Sequence, residues 1–518
     1  MSAVASIPSV RQFALPVAMV ALTTFVFDLL FWQRAAGINF LLFNAVVNGA
    51  LLVRYSWSGF SAPARWALFA NGLASCMVVV HDSVIAIFAA IVSLIAVAAF
   101  AHEPRLRSLF YAAIQGAAGF LVTPVNALAG VALAAPSTTT TRSGWRWIRL
   151  GVLPVLLLLL FTQLYRAGNP KFHALTAGFM DGLFNAIGEF FERFLTAHTL
   201  FVLFGAVISA GLVLHAVPGA VRRLEEGYTD ILVRTRSRRP SWSHALAMNP
   251  LERERRMGMI LLVAVNVLLA VVNVIDIDWV WFGFEVPTEF SLKQFVHEGT
   301  WMLIISILLS MVILMYLFRW NLNFYARSKG LRMLAFAWVV QNFILGVSVF
   351  LRNYHYISFH GLAYRRIGVI VFLVLVLVGL ATLFIKIRER KSFFYLARVN
   401  AWAAFTGLVL LSTNDWDSTI VRYNLAHWNQ GEIDVDNYLE MSDKVLPLLY
   451  ANLDVVEAQM AKHSQNEVRW VEMLSPEAFK RTLAVRRERF LQRFGEAHWQ
   501  EWTLAETRTA AALEATYH

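Results

Sequence analysis

The stretch Ile367–Ile385, IGVIVFLVLVLVGLATLFI, runs for nineteen residues without a charge and is bracketed by cations, Arg365 and Arg366 before it and Lys386 and Arg388 after it. At a helical rise of 1.5 Å per residue, a run of this length matches a hydrocarbon core of about 30 Å. Water cannot satisfy backbone groups in lipid, so the run must be a helix that pairs them internally. Comparable runs recur at 13–31, 35–53, 64–80, 83–101, 148–165, 200–217, 257–274, 296–318, 331–350 and 401–412. A twelfth, 108–135, contains Gly116, Gly119, Pro124 and Gly130, which suggest a broken helix or a hairpin that re-enters the same side.

Composition agrees with that reading. Of 518 residues, 58% are hydrophobic and only 15% charged, and the mean hydropathy is +0.56. No single soluble core absorbs so many apolar runs. The expected fold class is all-α: a polytopic transmembrane helical bundle of about twelve spans over 1–413, with a small C-terminal helical extramembrane domain over 414–518. The net charge of +11 is spread over short segments between apolar runs, which is the pattern of topology and not of nucleic-acid binding. Cys76 is the only cysteine and excludes an intramolecular disulfide or a thiolate metal site. No phosphate-binding loop, dinucleotide fingerprint or nucleophile elbow is present, and no cofactor is expected.

The densest basic segment lies within 218–256 and includes Arg222, Arg223, Arg234, Arg236, Arg253 and Arg255. It is expected to be a cytoplasmic loop. Alternating the spans from there puts Arg319–Arg332 and Lys386–Arg398 inside, and Arg352–Arg366 and the segment after Thr413 outside. Arg142, Arg146 and Arg149 also fall inside, and the N-terminus is cytoplasmic if 108–135 is a hairpin. Between two spans, residues 168–197 carry Phe172, Leu175, Phe179, Leu183 and Phe190 at helical spacing, the pattern of an interfacial amphipathic helix or of a helix packed on the bundle. Trp279, Trp281 and Trp301 read as interfacial anchors. In the tail, helical pieces are expected over Ser442–His463 and from Ser475-Pro476 to Phe494, with Trp499 and Trp502 available to cover an apolar stripe.

Three clusters attract attention as candidate sites, each with a plainer reading beside it. His297 and Glu298 open a span, where ionisable residues are costly and often functional; a carboxylate near a helix start also simply answers the dipole. His355, Tyr364, Arg365 and Arg366 share a segment with Arg352, a cationic and aromatic set suited to phosphate or carboxylate groups, or to anchoring at the interface. Asp415, Asp417, Arg422, Tyr423 and Asn424 follow the last span. Their carboxylates suit acid–base or Ca²⁺ chemistry, although the spacing of an EF-hand is absent, and Asp417 capping a helix with Arg422 alongside is the structural alternative. Within spans, Asp28, Asn44, Asn48, Asn126, Asn266, Asn273, Gln341 and Asn342 serve either as a polar path or as hydrogen-bonded helix glue.

Ordered motifs over the half from about Asn249 onward carry a family resemblance. They are Phe295-Val-His-Glu-Gly-Thr, Arg352-Asn-Tyr, His360-Gly-Leu-Ala-Tyr-Arg-Arg, Asn414-Asp-Trp-Asp-Ser-Thr-Ile-Val-Arg-Tyr-Asn-Leu, Asp434-Val-Asp-Asn-Tyr-Leu, Lys444-Val-Leu-Pro-Leu-Leu and His498-Trp-Gln-Glu-Trp-Thr-Leu. The chain thereby resembles a bacterial multi-spanning membrane family known as domain of unknown function 4173, with a sibling numbered 4153. That resemblance implies location without activity. It marks Glu298, Arg352, Arg365, Asp415, Asp417, Arg422, Tyr423 and Asn424 as the positions to test. The functional expectation is a non-enzymatic sensory, regulatory or scaffolding component of the bacterial inner membrane and cell envelope, with an extracytoplasmic tail that engages lipids or an envelope protein. A transporter or flippase is the alternative, and a membrane-embedded transferase the third reading.

Overall fold

In the computed structural model the described residues are 10–134, 154, 158, 161–162, 165–167, 170–194, 196–215, 219–234, 250–283, 292–427, 435–464 and 474–515. Most of the expected span at 148–165, the basic residues 142–149 and 235–249, and Asp434 lie outside them. The membrane part comprises α1 (Val10–Phe31), α2 (Ile38–Gly59), α3 (Ala62–His81), α4 (Val84–His102), α5 (Leu109–Ala134), α6 (Pro170–Phe194), α7 (Ala197–Val213), the short α8 (Ala220–Glu226), α9 (Pro250–Asp276), α10 (Leu292–Leu317), α11 (Lys329–His360), α12 (Tyr364–Glu389) and α13 (Phe393–Leu411). The tail adds α14 (Trp416–Ala426), α15 (Leu446–Ala451), α16 (Leu453–Ser464), α17 (Pro476–Glu496) and α18 (Leu504–Ala515). Among the described residues eight helices are long and apolar enough to cross a membrane, and α1, α5 and α7 carry shorter apolar stretches. The chain is an integral membrane protein with no named strand among those residues.

Helix starts follow local chemistry. Ser61, Thr196, Ser392 and Ser475 each cap a following helix by accepting a backbone N–H two or three residues on, removing an otherwise orphaned donor. Pro63 and Pro476 sit in first turns, where no N–H partner is needed.

Two cores result. Val47, Leu51, Ala64, Ala67, Val97 and Phe100 centre the first, formed by α1–α5 and α7. Leu262, Ile307, Leu314, Leu345, Leu380 and Leu383 centre the second, formed by α9–α12. Helix α13 belongs to both, giving Phe405 and Val409 to the first and Leu396 to the second.

Polar residues stitch the helices inside each half. Asn71 donates to Asn44 Oδ1 (2.9 Å), the Ala90 carbonyl (2.8 Å) and Ser93 Oγ (3.1 Å), and accepts from Asn48 (2.7 Å), tying α2, α3 and α4 together. Gln341 donates to Asn266 Oδ1 at 2.9 Å and Asn273 to the Gln341 carbonyl at 3.1 Å, joining α9 and α11. The geometry is that of helix glue.

The segment expected to break or double back is one continuous helix, α5. Its glycines are used for close packing: a Cβ at Gly116 would sit 2.5 Å from Ile95, and one at Gly119 would sit 3.1 Å from the Gly211 carbonyl oxygen. Small residues let α5 approach α4 and α7 closely, so they do not mark a chain reversal. Helix α6 covers the expected amphipathic segment, with Leu175 and Phe179 exposed and Met180 buried.

Contacts sort the helix ends onto two rims. At one rim Tyr55 meets His102 (2.7 Å), Arg54 meets the Val213 carbonyl, Arg107 lies over the Phe394 ring, and Lys386 donates to the Phe318 carbonyl (2.9 Å). It gathers Arg54, Arg65, Arg105, Arg107, Arg222, Arg319, Arg332 and Arg390. At the other rim Asp28 meets His198 (2.8 Å), Arg352 meets Asp276 (2.5 Å), and His81 lies 3.0 Å from the Thr413 carbonyl. The tail domain sits on this second rim. Its core is Tyr438, Val445, Leu446, Leu449, Phe479, Leu483 and Phe490, the last three on the apolar face of α17. Trp499 and Trp502 do not cover it; their side chains are exposed, while the Trp502 carbonyl accepts the Ile38 N–H at 3.0 Å.

Candidate functional site

Arg352–His360, expected in a loop, forms the last turns of α11, and only residues 361–363 turn the chain into α12. That corner is built by the motif residues themselves. Gly361 takes φ 79°, a left-handed conformation that glycine adopts at low cost. The Arg366 guanidinium donates to the His360 carbonyl at 2.7 Å and to that of Gly361, and lies over the Tyr356 ring at 4.6 Å. Asn353 donates to the Arg366 carbonyl at 3.3 Å. Arg352 is buried and pairs with the equally buried Asp276, with Gly299 packed against the guanidinium. His355 Nε2 lies 3.1 Å from the Val280 carbonyl in the π-helical turns Ile277–Phe282 that continue α9.

The first tail helix, α14, docks on this corner. The Asn424 side chain accepts the Leu362 N–H at 2.6 Å and donates to the Leu362 carbonyl at 3.0 Å, a two-point clamp on one backbone residue. Buried Asp417 accepts from the Tyr364 hydroxyl at 2.6 Å and from the Ser442 hydroxyl. Asp415, and not Asp417, caps α14, accepting from the Ser418 N–H at 3.4 Å and the Ser418 hydroxyl at 2.6 Å. Both carboxylates turn toward Lys444, whose Nζ lies 3.3 Å from Asp415 and 3.9 Å from Asp417. The same ammonium donates to the backbone carbonyls of His81 (2.6 Å) and Asp82 (3.3 Å) at the end of α3. Lys444 therefore joins the tail, α14 and the first half of the bundle through one buried cation.

Beside this knot, Asp82, Asp443, Glu506, Arg486 and Arg493 surround a smaller hollow of about 260 Å³. Arg486 binds Asp443 at 2.6 Å, and Arg493 binds Glu506 at 2.9 Å. Burial raises the Asp82 carboxyl above its ordinary range, against the lowering pull of Lys444 and Arg493. Burial also raises Glu506, and Asp82 adds to the rise. On the other side of Lys444 an open cleft of about 400 Å³ is lined by His81, Asn414, Asp415, Arg422, Lys444 and Arg508, among others. Arg422 and Arg508 are exposed and have no ion pair among the described residues. Arg422 thus departs from the expected pairing with Asp417.

The structure accordingly brings Tyr364, Asp415, Asp417, Asn424 and the corner held by Arg366 into one site at the rim that carries the tail, with Arg422 at its edge. Arg365 is exposed, and Tyr423 stacks on His427 at 4.2 Å. His297 and Glu298 fall in the early turns of α10, and their side chains lie outside the described residues. Asp28, the lone in-span carboxylate of the sequence reading, sits at the rim end of α1 and pairs with His198. Sequence reasoning missed Asp276, His81 and Lys444 as site members. Lys444 opens a motif that the sequence does display, so the signal existed there; nothing local marks the others.

A profile of a family described as a domain of unknown function, DUF4153, matches residues 14–452. The chain belongs to that family. DUF4153 is one of the two siblings the motifs suggested, and the match extends over the N-terminal half, where the sequence shows only generic apolar runs. Neither curated proteins nor solved structures offer a match. Among this DUF4153 chain's described residues the match takes in every helix of the bundle, the corner, α14 and Lys444, and stops before α16.

Proposed function

We propose that this protein is a non-enzymatic sensory, regulatory or scaffolding component of a bacterial inner membrane, with the arginine-rich rim in the cytoplasm and the tail domain outside. Net positive charge at one set of helix ends supports the orientation. The reading rests chiefly on one observation: the motif carboxylates and amide are consumed in holding the tail to the bundle. Asp417 accepts from Tyr364 and Ser442 and faces Lys444, while Asn424 is committed to Leu362. A general acid or base must be free to reach substrate, and these groups are not. What stays open is the cleft with Arg422 and Arg508, a surface suited to an anionic partner group. The transporter alternative has less support, because Asp28 sits at a rim and the in-span amides bond one another.

Three measurements test this reading. In a Cys76→Ser background, single cysteines at Arg390 and Arg508 are labelled with a membrane-impermeant maleimide in intact cells. Labelling at Arg508 alone is expected; labelling at Arg390 alone overturns the orientation. A photocrosslinker placed at Arg422 should then capture a discrete envelope protein or lipid, and capture that vanishes with Arg508→Glu ties it to the cleft. Purified protein that moves a lipid or ion across vesicles would overturn the non-transporting role.

A further inference from the structure

The basic rim holds a second opening, at the seam between the two halves of the bundle. Residues 227–233, which follow α8, cross from the first half to the second. Ile231 bridges Lys391, the Leu232 N–H donates to the Arg390 carbonyl (2.9 Å), and the Ser392 N–H donates to the Asp230 carbonyl (2.9 Å). Asp230 itself is paired with Arg398 at 2.8 Å and lies 3.9 Å from Arg107. Under this strap lies a cavity of about 700 Å³ between the start of α5, the end of α10 and the start of α13.

Its floor is aromatic, with Tyr228 stacked on Phe394 at 6.1 Å and Tyr111 beside Tyr228 at 6.3 Å. Its mouth is apolar and open: Phe110 is 62%, Phe393 64% and Trp320 70% exposed. All three stand at the ends of apolar helices, the depth at which acyl chains give way to headgroups. Arg319 is the cation lining the cavity. Its guanidinium lies 3.7 Å from the Tyr316 ring centroid and 4.8 Å from that of Trp320. It has no carboxylate or hydrogen-bond partner among the described residues, although it is partly buried. The Asp230 carboxylate nearby is already matched by Arg398 and Arg107.

We propose that this seam cavity binds one anionic phospholipid, with an acyl chain between Phe110, Phe393 and Trp320 and the phosphate on Arg319. The charge selects the headgroup. A zwitterionic lipid brings its own cation to a rim already crowded with arginines, whereas an anionic one supplies the counter-charge that Arg319 lacks. The cavity volume is within the range of small-molecule sites, and its open mouth faces the lipid-contacting ends of α5 and α13. The lipid would bridge the two halves beneath the strap. This holds whichever compartment the basic rim faces, so it stands apart from the functional reading above.

The test uses full-length protein in phosphatidylcholine vesicles that carry a minor share of acyl-brominated phosphatidylglycerol or, in parallel, acyl-brominated phosphatidylcholine. Trp320 fluorescence is taken as the difference between the protein and its Trp320→Phe variant. Quenching by the brominated phosphatidylglycerol is expected to exceed that by the choline lipid about fivefold, the preference one basic side chain gives at an anionic surface. Arg319→Gln should bring the two lipids level, and Arg319→Lys, which keeps the charge, should retain part of the preference. Equal quenching in the unaltered protein, or a preference that survives Arg319→Gln, overturns the proposal. So does loss of the quenching on adding glycerol phosphate in solution, which would assign the cavity to a soluble phosphate.

Discussion

The two halves of the bundle are joined at both rims, and the joints differ in kind. At the rim that carries the tail a whole helical domain lies across the seam. Its polar contacts are dense and buried: Lys444 reaches the end of α3, Asp417 reaches Tyr364 at the start of α12, and Asn424 clamps Leu362 between α11 and α12. At the basic rim a strap of a few residues crosses the same seam, held by two backbone hydrogen bonds and the partly exposed Asp230, above a cavity. One joint is locked by groups that are costly to leave unpaired. The other leaves space that lipid can fill. The tail therefore meets the bundle through closely paired polar groups, whereas the opposite rim leaves a cavity at the seam.

The largest effect is expected from the buried cation. Lys444→Met leaves Asp415 and Asp417 without their shared counter-charge. Removing one partner of a buried ion pair costs about 3 kcal/mol, so the tail should become protease-sensitive at a lower temperature while the bundle stays intact. If limited proteolysis of detergent-solubilised protein shows no change, the joint at the tail is not locked by charge. Next is Gly37→Ala. Its Cβ would fall 2.4 Å from the Glu501 backbone, and overpacking of this kind costs about 2 kcal/mol, again read as tail release. Asn424→Ala removes both hydrogen bonds to Leu362, a loss of about 1–2 kcal/mol.

At the basic rim the contrast should appear as a weak response. Asp230→Asn unties Arg398 and Arg107, yet a part-exposed pair contributes about 1 kcal/mol or less. A thermal shift as large as that of Lys444→Met would erase the distinction between the joints.

The finest test is pH. Asp82 and Glu506 both have carboxyl groups raised by burial. A raised folded-state pKa favours the protonated form in the docked tail. Its contribution is fully present below the unfolded value and is lost as pH rises through the folded one. These two groups therefore favour docking in mild acid and oppose it at neutral pH. Asp82→Asn, at a position with φ 45° that asparagine accepts, should slightly stabilise the tail at neutral pH and flatten the pH dependence. An unchanged profile would remove Asp82 from the joint.

Much of this architecture was legible beforehand. Uninterrupted apolar runs bounded by cations reveal spans because lipid leaves the backbone no other choice. The Ser475-Pro476 start of α17 was readable because capping is local chemistry. Gly116 and Gly119 misled, since the same residue serves as a breaker or as a close-packing surface, and only the neighbouring helix decides which. Asp417 and Arg422 misled in a similar way: proximity in sequence suggested a pair, whereas the partners of Asp417 come from Tyr364 and Ser442. The motifs located the site beneath the tail, but its contacts with α3 and the start of α2, hundreds of residues away, were not legible in them.

The hydrogen bond from Ile38 to the Trp502 carbonyl has a consequence for biogenesis. The ribosome makes the seat at Gly37 among the first helices and its occupant among the last, after the final apolar helix has entered the membrane. Until then the seat at Gly37 and the carbonyls of His81 and Asp82 have no tail to cover them. A chain stalled at any span would leave them bare, so closure of the tail can only follow completion of the whole bundle.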